Sequence, residues 1–466
     1  MGLHVTKYFH RGSSYHLLLA FLAIACIRPS LAQNDFFNTL DVDIETTNSL
    51  ADENFSLIGW VTQKVSQGIE RPGALFSRQD RDLNKIETSL FAQLDKKLGE
   101  GFDFRISGKV YHDEVYRLDE GIEYTSDETN EFRNRFEVRD FYIEKQYNNG
   151  FYFKLGNQIL AWGLAEYSRV TDLINTEDQY TFAQQDLEDI RLQVPAALLS
   201  YSTGQWTFDG VITHRANKNY TAPIGDEFDQ FVALRQAGIR INRDSPDTEE
   251  EYFFRASTHL SQGDLQFVAG EFNNNALSLE EITAARSINP LFQYGQNRMR
   301  AFGVAANWAD GSWLYFGELG LHLDKAVIPN RDSIFRQLGG WDEKDQVLSV
   351  FGVEYNGFKN LLLTFELDSI RTKNHDAFMY ADENQTSFGA RLFWTALNEK
   401  LTVVAVHNEL ANETGQVSRV SADYSWSDSV EVGLLWVDYG SRRDSIFYNF
   451  RNNDILQVHL RYNFQI

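Results

Sequence analysis

The chain is poor in cysteine, methionine and proline, with 1, 3 and 7 of them in 466 residues. Its single cysteine, Cys26, lies in an N-terminal apolar stretch, so the rest of the chain offers no disulfide, thiolate metal site or cysteine nucleophile. Beyond that stretch no run approaches the roughly 20 consecutive apolar residues that a bilayer-spanning helix needs. Basic charge is also short: 43 Lys and Arg stand against 66 Asp and Glu, a net charge of −23, which argues against a nucleic-acid partner. No G-x-S-x-G elbow is present, and no spacing sets a nucleophile beside a base, so neither an enzyme nor a cofactor is expected. His112-Asp113-Glu114 is the one compact cluster of histidine and acid; with no second histidine at i+4 on a helix it is not a zinc motif, and solvated loop charge with no metal is the expected reading, a surface calcium role being the alternative.

What is present points to export and to strands. Lys7 and Arg11 precede an apolar run from Leu17 to Ile27, too short to span a bilayer, and Ser30-Leu31-Ala32 makes a small-residue processing site after Pro29. Residues 1–32 therefore read as a signal peptide cleaved after Ala32, residues 33–53 as a short periplasmic segment, and residues 54–466 as the folded body. Loss of Lys7, Arg11 and Arg28 with the leader takes the net charge from −23 down by three, to −26. Acylation of Cys26 is the alternative, with Ala23 standing where a larger aliphatic is usual. Phe (35) and Tyr (21) are abundant, a balance that favours strands.

Periodicity sharpens this. At the C-terminus Leu456, Val458, Leu460, Tyr462, Phe464 and Ile466 alternate with Gln457, His459, Arg461, Asn463 and Gln465. Tyr462, Phe464 and Ile466 then form the terminal strand signal for barrel insertion. The same beat recurs at Phe104, Ile106 and Val110, at Leu361 to Leu367, at Phe388 to Trp394, and at Val430 to Trp436. Tight connections at Asn149-Gly150, Thr203-Gly204, Gly263-Asp264, Asp310-Gly311 and Asn356-Gly357 mostly take turns with long polar stretches at 119–131, 217–231, 326–345 and 372–384. Trp308, Trp313, Trp394 and Trp426 sit near turns, as an interfacial girdle requires.

The pattern predicts an all-β, transmembrane, antiparallel up-and-down barrel in the outer membrane of a Gram-negative bacterium. Nineteen segments qualify as strands, but both ends on one side demand an even number; eighteen is expected and sixteen is the alternative. The excess falls in residues 234–296, where candidates 234–243, 251–261 and 264–274 precede a helical-looking stretch, Ser278 to Arg286. A plug plus twenty-two strands does not fit the length, which excludes a TonB-dependent transporter.

Between Phe151 and Pro195 the alternation stops. Gly156, Gln158, Trp162, Gly163, Asp172, Asn175, Asp178, Glu188, Asp189, Arg191 and Pro195 stand in an order that resembles the proteobacterial outer-membrane family known as domain of unknown function 1302. Thr176 replaces that family's proline, and Gln193-Val194 widens the spacing before Pro195. The resemblance implies a porin-like barrel. It also implies an alternative, an outer-membrane component of an envelope export or lipid-trafficking system with an exporter as partner. A structural or adhesive barrel is the third reading.

A segment of about thirty residues is longer than ordinary connections and is expected to fold inward. Gly163 permits a sharp exit from the sheet, Asp172 and Asn175 can bond local amides, and Arg191 can pair with Asp172 or Glu188. These residues either pin the segment to the wall or form the constriction that selects small polar or amphiphilic solutes. Arg105, Lys109, Arg133, Arg135, Arg139 and Lys154 make a basic wall on neighbouring strands, with acids at Glu318, Glu366, Asp368 and Glu431 elsewhere. They set up a transverse field across the lumen or a ladder of cross-strand salt bridges. Expected partners are outer-membrane lipids, the barrel-assembly machinery during biogenesis, and further copies of the chain.

Overall fold

A computed structural model describes residues 55–70, 83–118, 133–185, 187–214, 217–222, 226–243, 249–283, 290–327, 340–377, 379, 381–410, 412, 415–442 and 446–466. The leader, the 33–53 segment and the 119–131 stretch read from the sequence lie outside these residues. Eighteen strands form one closed antiparallel sheet. In chain order they are β1 (Phe55–Gly68), β2 (Leu83–Leu98), β3 (Phe102–Asp113), β4 (Asn134–Gln146), β5 (Phe151–Gln158), β6 (Val194–Thr203), β7 (Trp206–Thr213), β8 (Glu251–Leu260) and β9 (Gly263–Asn273). The second half comprises β10 (Arg298–Asp310), β11 (Trp313–Val327), β12 (Asp342–Phe358), β13 (Leu361–Thr372), β14 (Asn384–Ala396), β15 (Leu401–Leu410), β16 (Gly415–Ser427), β17 (Val430–Gly440) and β18 (Ile455–Gln465).

Each strand pairs with the next, and β18 closes on β1 from Ile58↔Gln465 to Gly68↔Ile455. The amide of Leu57 donates to the carbonyl of Ile466 and the amide of Ile466 to Leu57, so the terminal residue is itself stitched into the seam. Closure pairs the first strand with the last, so neither is left as an outer edge of the sheet. The eighteen-strand expectation holds, and both ends of the barrel emerge with the short turns.

Alternation sorts the side chains as the sequence indicated. Leu456, Val458 and Tyr462 face outward and are exposed, while Gln457 is buried inside. Likewise Phe365 and Leu367 point out, and Thr364 and Glu366 point in. Large apolar side chains such as Phe136, Leu319, Phe351 and Leu434 are bare on the outside, Phe351 at 58% exposure, a belt that only a nonpolar surrounding accommodates. Trp206, Trp308, Trp313, Trp394 and Trp426 are exposed beside the short connections, forming a ring at that end.

Three local readings change. The 234–243 candidate is not a barrel strand: Val232–Gln236 is helical, Gly238 turns the chain at φ 79, and only Arg240–Asn242 is extended. That segment is the nineteenth candidate. Ser278–Thr283 is a strand rather than a helix, its continuation to Arg286 lying outside the described residues. Leu279 and Ile282, three apart, mimic a helical face, but a register shift between Leu279 and Glu281 puts both on the side of Ile239 and Phe292. Finally, Gly263-Asp264 already belongs to β9 and Asn356-Gly357 to β12; the turns fall one or two residues away, at Ser261-Gln262 and Lys359-Asn360.

Candidate functional site

Between β5 and β6 the chain runs through residues 159–193 and lies against inward-facing side chains on several parts of the wall. Gly156 marks the departure. Its φ of 135 is closed to other residues, and a Cβ there would stand 2.1 Å from the carbonyl oxygen of Phe141. Two residues later, Gln158 is fully buried and its amide donates to the carbonyl of Ala196 at 2.9 Å. Asn175 ties the segment's two ends together: its oxygen accepts from the Leu160 amide at 2.7 Å, and its nitrogen donates to the Leu192 carbonyl at 2.7 Å.

The middle of the segment is held from across the barrel. Glu318 on β11 receives the amides of Leu164, Ala165 and Thr171 at 2.5, 2.8 and 2.8 Å, plus the Thr171 hydroxyl at 2.6 Å. Glu366 on β13 receives the amides of Glu166 and Tyr167 at 2.8 and 3.1 Å. Gln266 on β9 donates to the Trp162 carbonyl, and Arg391 on β14 pairs with Glu166. The fit is close: a Cβ on Gly163 would come within 2.9 Å of Asp172, and one on Gly320 within 2.8 Å of Val170.

Apolar packing completes this anchorage. Leu160, Trp162, Leu173 and Ile174 bury against Val211, Phe253, Val268, Phe272 and Met299 on the inner face of β7 to β10. At about 1.5–3 kcal/mol for each large side chain removed from water, this cluster outweighs any single hydrogen bond of the segment. Sequence reading missed it, because an inward apolar patch on a barrel strand interrupts the alternation only locally. The long-range role of Glu318 and Glu366 was equally unmarked, although both were legible as lumen acids.

Asp172 is the segment's own charge centre. Its carboxylate accepts from Arg169 at 2.8 Å and from Arg191 at 2.7 Å, so the Arg191 partner is Asp172. Burial alone would raise its pKa; the two guanidinium groups overcome this and hold the carboxyl below the usual carboxylate range. Glu188 falls in a short helix, Leu187–Ile190, and its side chain lies outside the described set.

Every member of the basic wall has an acid beside it. Arg105 pairs with Asp95 at 2.5 Å and Lys154 with Glu144 at 3.9 Å, both between directly registered residues of adjacent strands. Arg133 approaches Glu114 at 3.7 Å. Arg135 lies 2.5 Å from both Glu137 and Asp178, among the rings of Tyr111, Tyr180 and Tyr220. Asp189 joins Lys109 and Arg139, each at 2.6 Å. Lys109 is 2% exposed and sits over the Trp60 and Tyr111 rings. The segment thus brings Asp178 and Asp189 to the basic wall, joining motif and wall in one network.

Elsewhere on the inner face, Asp209 pairs with Arg255, and Glu431, legible as a lumen acid, meets His459 together with Asp423; neither grouping was singled out by sequence, being assembled from separate strands. His112 and Glu114 bond each other at 3.0 Å, while Asp113 accepts the amides of Ile86 and Val115, which is a structural cap.

A family model described as "Protein of unknown function (DUF1302)" matches residues 15–464. No curated protein matches the sequence. Among solved structures, Acinetobacter baumannii OccAB3 aligns over 88% of this chain and 99% of its own, with TM-score 0.50 and 7% identity. Pseudomonas aeruginosa OccK8 (OprE) aligns over 89% and 98%, with TM-score 0.50 and 9% identity. The outer membrane protein opdK from Pseudomonas aeruginosa covers 89% and 100%, at 10% identity and a TM-score of 0.49. At such identities the likeness is one of fold.

Proposed function

For a chain that belongs to the family described as protein of unknown function (DUF1302), we propose the function of an outer-membrane channel for small polar or amphiphilic solutes. The observation that carries this reading is a closed barrel, apolar outside and largely polar inside, with one chain segment clipped at its ends by Asn175 and bonded to the inner wall by Glu318, Glu366 and the Asp178 and Asp189 ion pairs. Such a segment reduces the bore and presents fixed charges to anything that passes, which is how porin-type pores select. Gly156, Gln158, Trp162, Gly163, Asp172, Asn175, Asp178, Asp189 and Arg191 then serve to position the constriction. The apolar belt and the tryptophan ring support a location in the outer membrane, with the short connections periplasmic. The channel does no covalent chemistry.

Single-channel recording in a planar bilayer is the test. Stepwise ohmic openings are expected, with larger unitary conductance when residues 165–190 are deleted. A silent wild-type barrel overturns the channel and favours an export component or a structural barrel. Unaltered conductance after the deletion overturns the role given to the segment.

A further inference from the structure

Pairing between β4 and β5 is incomplete. On its β3 side β4 is bonded along its length, from Phe102↔Lys145 to His112↔Asn134. On its β5 side the ladder stops at Phe141↔Asn157, where β5 ends one residue later. The Asn157 amide covers the carbonyls of Val138 and Arg139 as a stopper. Above it, among the described residues, no strand pairs with Asn134–Glu137 on the side away from β3, about 13 Å of edge at 3.3 Å per residue.

A cavity of about 300 Å³ sits at that edge, lined by Arg135, Phe136, Glu137, Val138, Leu192, Gln193 and Tyr220. Four consecutive residues of one strand line it. A cavity on one face of a sheet is lined by alternate residues, so this one reaches around the edge to both faces. Phe136 and Val138, 70% and 52% exposed, belong to the outer apolar belt; Arg135 and Glu137 belong to the inner wall. The lining therefore draws on both the membrane side and the inner side of the wall, in the half nearer the long connections.

We propose that this unpaired edge is a lateral portal through which a single-chain amphiphile passes between the outer half of the bilayer and the lumen. Its size falls at the lower end of small-molecule sites, and its lining is graded as an amphiphile needs. Phe136, Val138 and Leu192 suit a hydrocarbon tail. Gln193, Tyr220 and the Arg135–Glu137 pair present donors and acceptors to a polar head. The portal rests on the membrane-channel reading for its bilayer and deepens it by naming the amphiphilic class and its route.

The full-length protein in liposomes, labelled with a diazirine-bearing palmitate and mapped by mass spectrometry, tests it. Labelling at Phe136, Val138, Leu192 or Tyr220 should exceed that at the lipid-facing residues Leu319 and Phe351 by at least about tenfold, equivalent to about 1.4 kcal/mol of preference. Leu192→Trp, which fills the cavity, should lower the label on Tyr220. Equal labelling around the belt overturns the portal, as does undiminished Tyr220 labelling in a folded L192W barrel. Should that variant fail to fold, the gradient in the wild type decides. Conductance of the wild type, recorded separately, reports on the channel: silence together with a steep gradient removes the ion pathway and keeps the portal.

Discussion

Thr171 gives both its amide and its hydroxyl to one carboxylate oxygen of Glu318, at 2.8 and 2.6 Å, across 147 residues of sequence. The other oxygen takes the Leu164 and Ala165 amides, so one side chain satisfies four donors of a segment with little regular structure. Glu318→Ala takes the acceptor from the three amides and leaves the Thr171 hydroxyl only the Trp162 carbonyl at 3.5 Å. Hydrogen bonds to a charged group contribute about 1.5–3 kcal/mol each, and non-additivity brings the expected total to roughly 3–4 kcal/mol. The segment, not the barrel, should respond: cleavage by protease within residues 159–193 and noisier open-channel current, with the heat-modifiable shift of the barrel on gels retained. Unchanged cleavage and noise would show that the apolar cluster alone holds the segment.

Neutralising Asp189 should alter selectivity. Asp189 lies between Lys109 and Arg139, and Asp178 beside Arg135, so the cations of the wall are locally balanced. Asp189→Asn, alone and with Asp178→Asn, should move the reversal potential in a salt gradient toward anions, with the double variant shifting further. At high ionic strength the shift should shrink as charges are screened within about 3 Å at 1 M salt. An unaltered reversal potential would place this network off the ion path.

Gly156 and Gly204 both have positive φ, 135 and 60, yet they should differ sharply on substitution. A Cβ at Gly156 meets the Phe141 oxygen at 2.1 Å and Tyr142 Cα at 2.7 Å, whereas at Gly204 nothing lies within 4 Å. Gly204→Asn should cost about 1 kcal/mol or less, because asparagine tolerates the left-handed region. Gly156→Ala combines strain of order 1–3 kcal/mol with a clash against backbone, so the β4–β5 ladder must shift. Thermal unfolding in detergent should separate them, and equal midpoints would sink the assignment of Gly156 as the close-approach residue.

How much of this was legible in the sequence follows from what is local. Alternation such as Leu456 to Ile466 shows the pleat directly, and the even number that two ends on one side require gave eighteen strands, with Arg240–Asn242 the excess candidate, lying in a connection. The cluster from Gly156 to Arg191 was legible as a unit, since Asn175 and Asp172 bond within their own segment. Its anchors were not: Glu318 and Glu366 look like any inward acid until the segment is laid against them. Nor was the open edge of β4, because Phe136 and Val138 alternate as they would in a paired strand. Only the early end of β5 at Gln158 exposes it, and strand ends are what alternation locates least well.

Acid should loosen the segment through Asp172. Its carboxyl is held below the ordinary range because the charges of Arg169 and Arg191 outweigh the opposing effect of burial. For a depressed acid the stabilisation is complete above the unfolded value, about 3.9, and is lost as pH falls through the folded value. Glu177, which also pairs with Arg169 at 3.3 Å, and Glu318 beyond Gly163 are the other acids near this centre. Between pH 7 and about 5 Asp172 should therefore contribute no pH dependence, and below about 4 open-channel noise and protease cleavage of residues 159–193 should rise together. Asp172→Asn should bring that loosened state to neutral pH. The loss should be about 2 kcal/mol, less than for a fully buried pair, because Arg169 and Arg191 are 23% and 31% exposed and Glu177 remains to pair with the former. Asn175→Ala, which cuts the clip between the two ends without touching a charge, should loosen the segment equally at pH 7 and pH 4. If D172N showed the wild-type profile at neutral pH and the same acid transition, the transition would belong to another carboxylate.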